Sequence, residues 1–251
     1  NDRILKEILK LRTILMTDVE KEMPLTSHLT ELRKRITWIF IFVSVTAVVA
    51  FALNRQLIGL LLIPFPDDVE VVQIGVSEGL SVSMKVAFIG GFIIAFPVIF
   101  YHVIMFIKPA LSNKEKIILY AGLPFVSILF CIGASFSFLV LLPFMMKFLP
   151  TFLGDLVTPQ ISVSSIIGTT IWLMFAMGSI FQIPIVMFLL AKIGILVPET
   201  LAKKRKFAIL FSLVAGAIIT PTGDPINMVL WALPIWILFE IGLIASRIAR
   251  R

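Results

Sequence analysis

The sequence predicts an all-α integral membrane protein of six transmembrane helices, and three observations carry that prediction. Of 251 residues, 59% are hydrophobic and only 15% charged, with a mean hydropathy of +1.05; soluble domains are about 45–50% apolar. Apolar runs recur at 36–53, 82–107, 117–144, 166–193, 207–219 and 226–245, each bounded by charge or by Pro and Gly. Nineteen of the 22 Lys and Arg residues fall in 1–35, 108–116, 192–206 and 246–251, leaving Arg55, Lys85 and Lys147 elsewhere. That asymmetry assigns both termini to the cytoplasm and segments 54–81, 145–165 and 220–226 to the far side. The 22 Phe and 14 Pro residues favour long, repeatedly bent helices in a kinked, concave bundle over an alternating barrel.

Residues 1–22 read as a cytoplasmic N-terminal segment, either an amphipathic surface helix or a mobile tail, and residues 23–251 as the membrane domain. The stretch 4–16 is too charged for a signal-peptide core, and its Ile4, Leu5, Ile8, Leu9 and Arg12 pattern suits a surface helix. The block His28-Leu29-Thr30-Glu31-Leu32-Arg33-Lys34-Arg35 follows. Leu25, Leu29, Leu32 and Ile36 form one apolar stripe, which leaves His28, Glu31 and Arg35 on the wetter side. Two readings stand: Glu31 forms a local pair with Arg35 while Arg33–Arg35 anchor the span, or Glu31 is a receptor for a cation.

Segment 54–81, with Pro64, Pro66 and four acids, is expected to form a structured cap. Lys85, near the outer end of the second span, is expected to snorkel. Glu115 lies in the turn 108–116, on the same face as Glu31. Pro97, Pro124, Pro184 and Pro234 lie inside apolar runs, where each removes a backbone donor and tends to kink the helix. Gln182 sits near mid-membrane, where its amide needs a partner, from a neighbouring span or from the helix of another subunit. The fifth run, about 13 residues, rises only about 20 Å against a hydrocarbon core of about 30 Å. The sixth is also short once Ile226 and Asn227 join the preceding turn. In that turn Asp224 is expected to cap the sixth helix, and on the helix Glu240 is expected to approach Arg247 by snorkelling.

Several function classes drop out. The basic residues behind the +7 charge sit between apolar runs, so nucleic acid is not the partner. No phosphate-binding Gly-rich motif is present. His28 and His102 lie on different spans without metal-ligand spacing, and no cofactor or metal is expected. Single Cys131 excludes an intrachain disulfide. Ser135 has no later histidine to act as base, so the chain does not read as an enzyme. A proton-coupled small-solute secondary transporter, with Glu240, Gln182 and Lys85 lining a midplane site, remains as an alternative, beside a purely structural scaffold.

Specific motifs then narrow the choice. They are His28-Leu29-x-Glu31-Leu32-Arg33-x-Arg35, Phe96-Pro97-Val98-Ile99-Phe100-Tyr101, and Phe106-Ile107-x-Pro109-Ala110-Leu111 followed by Glu115. Phe181-Gln182-x-Pro184, Thr220-Pro221-Thr222-Gly223-Asp224-Pro225 and Leu238-Phe239-Glu240-Ile241-Gly242 complete the set. From about Met23 to Arg251 the chain resembles the TatC family, the multispan receptor subunit of the twin-arginine protein translocase. The resemblance implies a glove-shaped body in the plasma or thylakoid membrane that binds twin-arginine signal peptides. It further implies TatA- and TatB-type single-span partners, a homo-oligomeric receptor complex surrounded by membrane lipid, and export of folded proteins driven by the proton-motive force. On this likeness Glu31 and Glu115 receive the two arginines, with Arg33, Phe106 and His28 beside them. Pro64 and Asp224 match positions important for assembly or transport, and Gln182 and Glu240 match partner-helix docking positions. Many members carry Glu where this chain has Gln182; an amide does not titrate, so a protonation role there is excluded while docking through hydrogen bonds survives.

Overall fold

Helix α1 (Leu25–Ala52) carries the basic collar and the first span without interruption over 28 residues, a rise of about 42 Å. In the computed structural model, residues 25–65, 70–107, 113–148, 160–220 and 224–250 are described. The N-terminal segment 1–22 lies outside them, as do the side chains of His28 and Glu115. Only one face of α1 packs inward. Thr46 Oγ1 donates to the Gly91 carbonyl at 2.8 Å, and a Cβ on Gly91 would stand 2.5 Å from Ala47 Cα. Small residues therefore bring the two backbones together, as membrane helix pairs require when no hydrophobic force separates lipid from protein. The opposite face, including Phe40 and Val48, is exposed, which suits a lipid-facing surface.

After α2 (Asn54–Leu62) the chain enters strand β1 (Glu70–Val72), then α3 (Glu78–Ile107). Helix α4 (Asn113–Phe136) continues through a π turn (Ser137–Leu141) into α5 (Leu142–Phe148). Strand β2 (Gln160–Ser162) leads into α6 (Val163–Ile180). The strands pair in parallel, Val71 opposite Ile161 and Val72 opposite Ser162. This sheet qualifies the all-α expectation: the membrane body is helical, but the cap at the α3 and α6 starts contains two short strands. Both segments feed a helix entering the bundle in the same direction, so their extended, β-branched residues meet side by side.

The fourth span is not one helix. It breaks at Phe181–Gln182 and resumes as α7 (Ile183–Lys192), because Pro184 has no N–H to continue the ladder. Pro97, Pro124 and Pro234 instead remain inside continuous helices. Helix α8 (Pro198–Lys203) precedes α9 (Arg205–Ile219), which has 15 residues and rises only about 22 Å. Among the described residues five helical segments are long and apolar enough to cross a membrane, and α9, the fifth span in chain order, is the one too short to join them. The sixth span departs from expectation. Helix α10 (Pro225–Ala249) has 25 residues, because Asp224 caps it at once, Pro225 needs no donor at the first position, and it continues past the apolar run. Shortness is a property of α9.

The centre is a cluster of Leu141, Leu142, Met145, Leu173, Met177 and the fully buried Trp231, which joins the π turn and α5 to α6 and α10. A second cluster, containing Leu61, Val82, Val86, Ile167 and Ile171, holds α2 against α3 and α6.

Candidate functional site

At the collar end, Glu31 and Arg35 lie one helical turn apart on α1. Arg35 Nε donates to Glu31 Oε1 at 3.0 Å, and Arg35 Nη2 reaches the same oxygen. The local-pair reading of the sequence is therefore realised. Arg33 is exposed, and its carbonyl accepts the Thr37 hydroxyl at 2.9 Å. Phe106 is half-buried near the end of α3, four residues from His102 and so on the same face. His102 stacks edge-on with Tyr101, and its buried Nδ1 has no hydrogen-bond partner among the described residues. Glu115 falls in the first turn of α4.

Gln182 sits at the α6–α7 break and is only 5% exposed. Its backbone N–H turns to the Ser179 carbonyl at 3.1 Å, which leaves the Gly178 carbonyl without its regular helical donor. The side chain replaces it: Nε2 donates to Gly178 O at 3.3 Å and to Val126 O of α4 at 3.2 Å. Oε1 has no partner among the described residues. Nearby, an apolar groove of about 370 Å³ is lined by Ile104, Phe125, Val126, Pro184, Phe188 and Ala245, among others.

Glu240 does not pair with Arg247. It accepts from Arg205 Nη2, at the start of α9, at 2.8 Å; packing of α9 on α10 presents this partner, and no sequence interval announces it. Lys192 Nζ caps the Ala249 carbonyl at 3.1 Å, and Arg250 stands 3.7 Å from Glu199, so α7 and α8 are both fastened to the α10 terminus.

Asp224 behaves as the sequence predicts. It accepts the Asn227 N–H at 2.7 Å and the Asn227 amide at 2.8 Å, capping α10. Pro64 is half-buried in the turn after α2, where Phe65 packs on the central cluster.

One hub escaped the sequence reading. Glu78, the first residue of α3, accepts the N–H groups of Ile74 at 2.6 Å, Gly75 at 3.1 Å and Ser164 at 2.8 Å, and the Ser162 hydroxyl. Lys85, expected to snorkel, instead donates to Ser164 Oγ at 2.7 Å. An acid in a first helical turn signals local capping, but the Ser162 and Ser164 partners belong to another span. Lys85 therefore sits beside the α6 start, whereas Gln182 bonds Gly178, some 14 positions or about 21 Å further along. With Glu240 engaged by Arg205, the three polar residues do not converge on one midplane site.

The comparisons agree with this architecture. Residues 27–234 match the family described as Sec-independent protein translocase protein (TatC). The chain is 37% identical to the Sec-independent protein translocase protein TatC of Aquifex aeolicus, covering 91% of this chain and 97% of that one. It is 32% identical to the protein of the same name from Desulforapulum autotrophicum, over 93% of this chain and 87% of the relative. A crystal structure of a twin-arginine translocase receptor TatC superposes with a TM-score of 0.80 at 36% identity, covering 89% of this chain and all of that one.

Proposed function

This chain belongs to the TatC family of Sec-independent protein translocase proteins, and from that premise we propose that its collar end binds the paired arginines of a signal peptide through Glu31 and Glu115. The protein is a multi-pass membrane component of a protein translocase, not an enzyme, and the small-solute transporter reading is not favoured. The observation that carries the proposal is the Glu31 carboxylate, which already accepts two N–H groups from the Arg35 guanidinium. A carboxylate so placed can receive an incoming guanidinium with the same charge-assisted bonds, and lysine cannot reproduce that fork.

The remaining parts of the reading follow the same logic. Arg33, Phe106 and His28 border the receptor acids. The groove from Ile104 to Ala245 suits the apolar segment that follows the charged region of a signal peptide. By resemblance to the family, Gln182 at the break of the fourth span is the docking position for a single-span TatA- or TatB-type helix, with Glu240 as the second. Pro64 and Asp224 support assembly at the opposite end. Both termini face the cytoplasm of a plasma or thylakoid membrane, copies of the chain associate in the receptor complex, and the proton-motive force drives folded cargo across.

Photocrosslinking of the intact chain by an Arg-Arg peptide that itself carries the photoreactive group, and by its Lys-Lys counterpart, tests the receptor. Arg-Arg crosslinks are expected to dominate and to fall in Glu115→Ala; equal crosslinking of the two peptides would remove the proposal.

A further inference from the structure

Arg35 places both of its donors on one oxygen, Oε1, of the carboxylate that the proposed receptor offers to its ligand, so a two-oxygen clasp by an incoming guanidinium requires Arg35 to give way. The Arg35 and Glu31 side chains are 19% and 23% exposed, so their pair is screened less than a fully solvated one. They stand four residues apart on one helix, a spacing at which side chains of opposite charge meet. The neighbouring cations differ. Arg33 and Lys34 are exposed, and neither has an ion-pair partner among the described residues.

Resting on the receptor reading above, we infer that Arg35 is a built-in competitor: it holds Glu31 in the empty protein, and a peptide arginine binds by replacing it. Affinity is lowered as a result. Only the fraction of molecules with the Arg35 pair open is competent to bind, and the apparent dissociation constant rises by the inverse of that fraction. Exchange of one guanidinium for another conserves the charge-assisted bonds on Glu31. The bound peptide therefore remains releasable, as a receptor that must hand its cargo onward requires. Preference for arginine over lysine is not altered, because both ligands displace the same resident group.

The test uses the full chain in lipid nanodiscs, titrated with a fluorescent Arg-Arg peptide and its Lys-Lys counterpart. Arg35→Gln removes the competitor; Arg35→Lys keeps the charge and loses the fork; Lys34→Gln removes an equal charge from the adjacent exposed position. Arg35→Gln is expected to bind the Arg-Arg peptide roughly two- to tenfold tighter, with Arg35→Lys between it and the parent and Lys34→Gln changing less. Misfolding does not produce tighter binding. Unchanged or weaker binding in both Arg35 variants, or equal tightening in Lys34→Gln, overturns the inference. Glu31→Gln reports on the receptor separately. If it leaves Arg-Arg binding intact, the receptor reading itself fails; if it weakens binding while the Arg35 variants do not tighten it, only the competitor is lost.

Discussion

Glu78, at the first residue of α3, accepts the backbone N–H of Ser164, at the second residue of α6, at 2.8 Å across 86 sequence positions. The same carboxylate takes two further backbone N–H groups and the Ser162 hydroxyl, so one side chain ties the β1 segment, the β2 segment and two spans together. Glu78→Ala is expected to lower the thermal midpoint, with Glu78→Gln intermediate because an amide keeps one acceptor oxygen and loses the charge. Ser162→Ala combined with Glu78→Ala should be less than additive, since both remove the same bond. A Glu78→Ala protein that melts with its parent would show that the cap is held by other contacts.

The crossing of α1 and α3 depends on Gly91. A Cβ there would meet Ala47 Cα at 2.5 Å, whereas one on Gly59 of α2 would find nothing within 4 Å. Gly91→Ala should destabilise by about 1–3 kcal/mol through overpacking. Gly59→Ala should stabilise by about 0.5–1 kcal/mol, because it removes backbone freedom from the unfolded chain. Thermal unfolding in one detergent compares the two, and effects of equal sign would refute the contrast.

Gln182 supplies the donor that the broken helix denies to Gly178. Gln182→Leu preserves approximate size and leaves that carbonyl buried without a replacement donor. A loss of about 1–3 kcal/mol is expected in the isolated subunit. This stability readout is separate from partner docking, which pulldown of single-span subunits would report.

Pairing of Glu240 with Arg205 rather than Arg247 is testable by charge reversal. Glu240→Gln and Arg205→Gln should each cost under about 1 kcal/mol, as befits a partly exposed pair, and Arg247→Gln should be silent. The exchange Glu240→Arg with Arg205→Glu should recover the loss. Recovery by an exchange at Arg247 instead would reverse the assignment.

What was legible in the sequence rests on short intervals. Asp224 caps Asn227 three residues on, and Arg35 meets Glu31 four residues back; such pairs are set by helical geometry alone. The short fifth helix was legible for the same reason, because rise per residue is constant. The family motifs, grouped around these positions, pointed to the TatC family that the comparisons show, and the assignment of Glu31 and Glu115 as receptor acids is proposed from that resemblance.

Apolar length and charge bias are sums over neighbouring residues, so the sequence by itself determined a six-span membrane protein and its polar landmarks. Only the tertiary structure decided which landmarks meet. Glu78 finds Ser164 and Glu240 finds Arg205 because helices distant in sequence pack side by side. Gln182 turns inward because Pro184 interrupts the ladder beside it. Each of these partners is a property of how one span crosses another, and residue type and spacing along the chain do not encode that crossing locally.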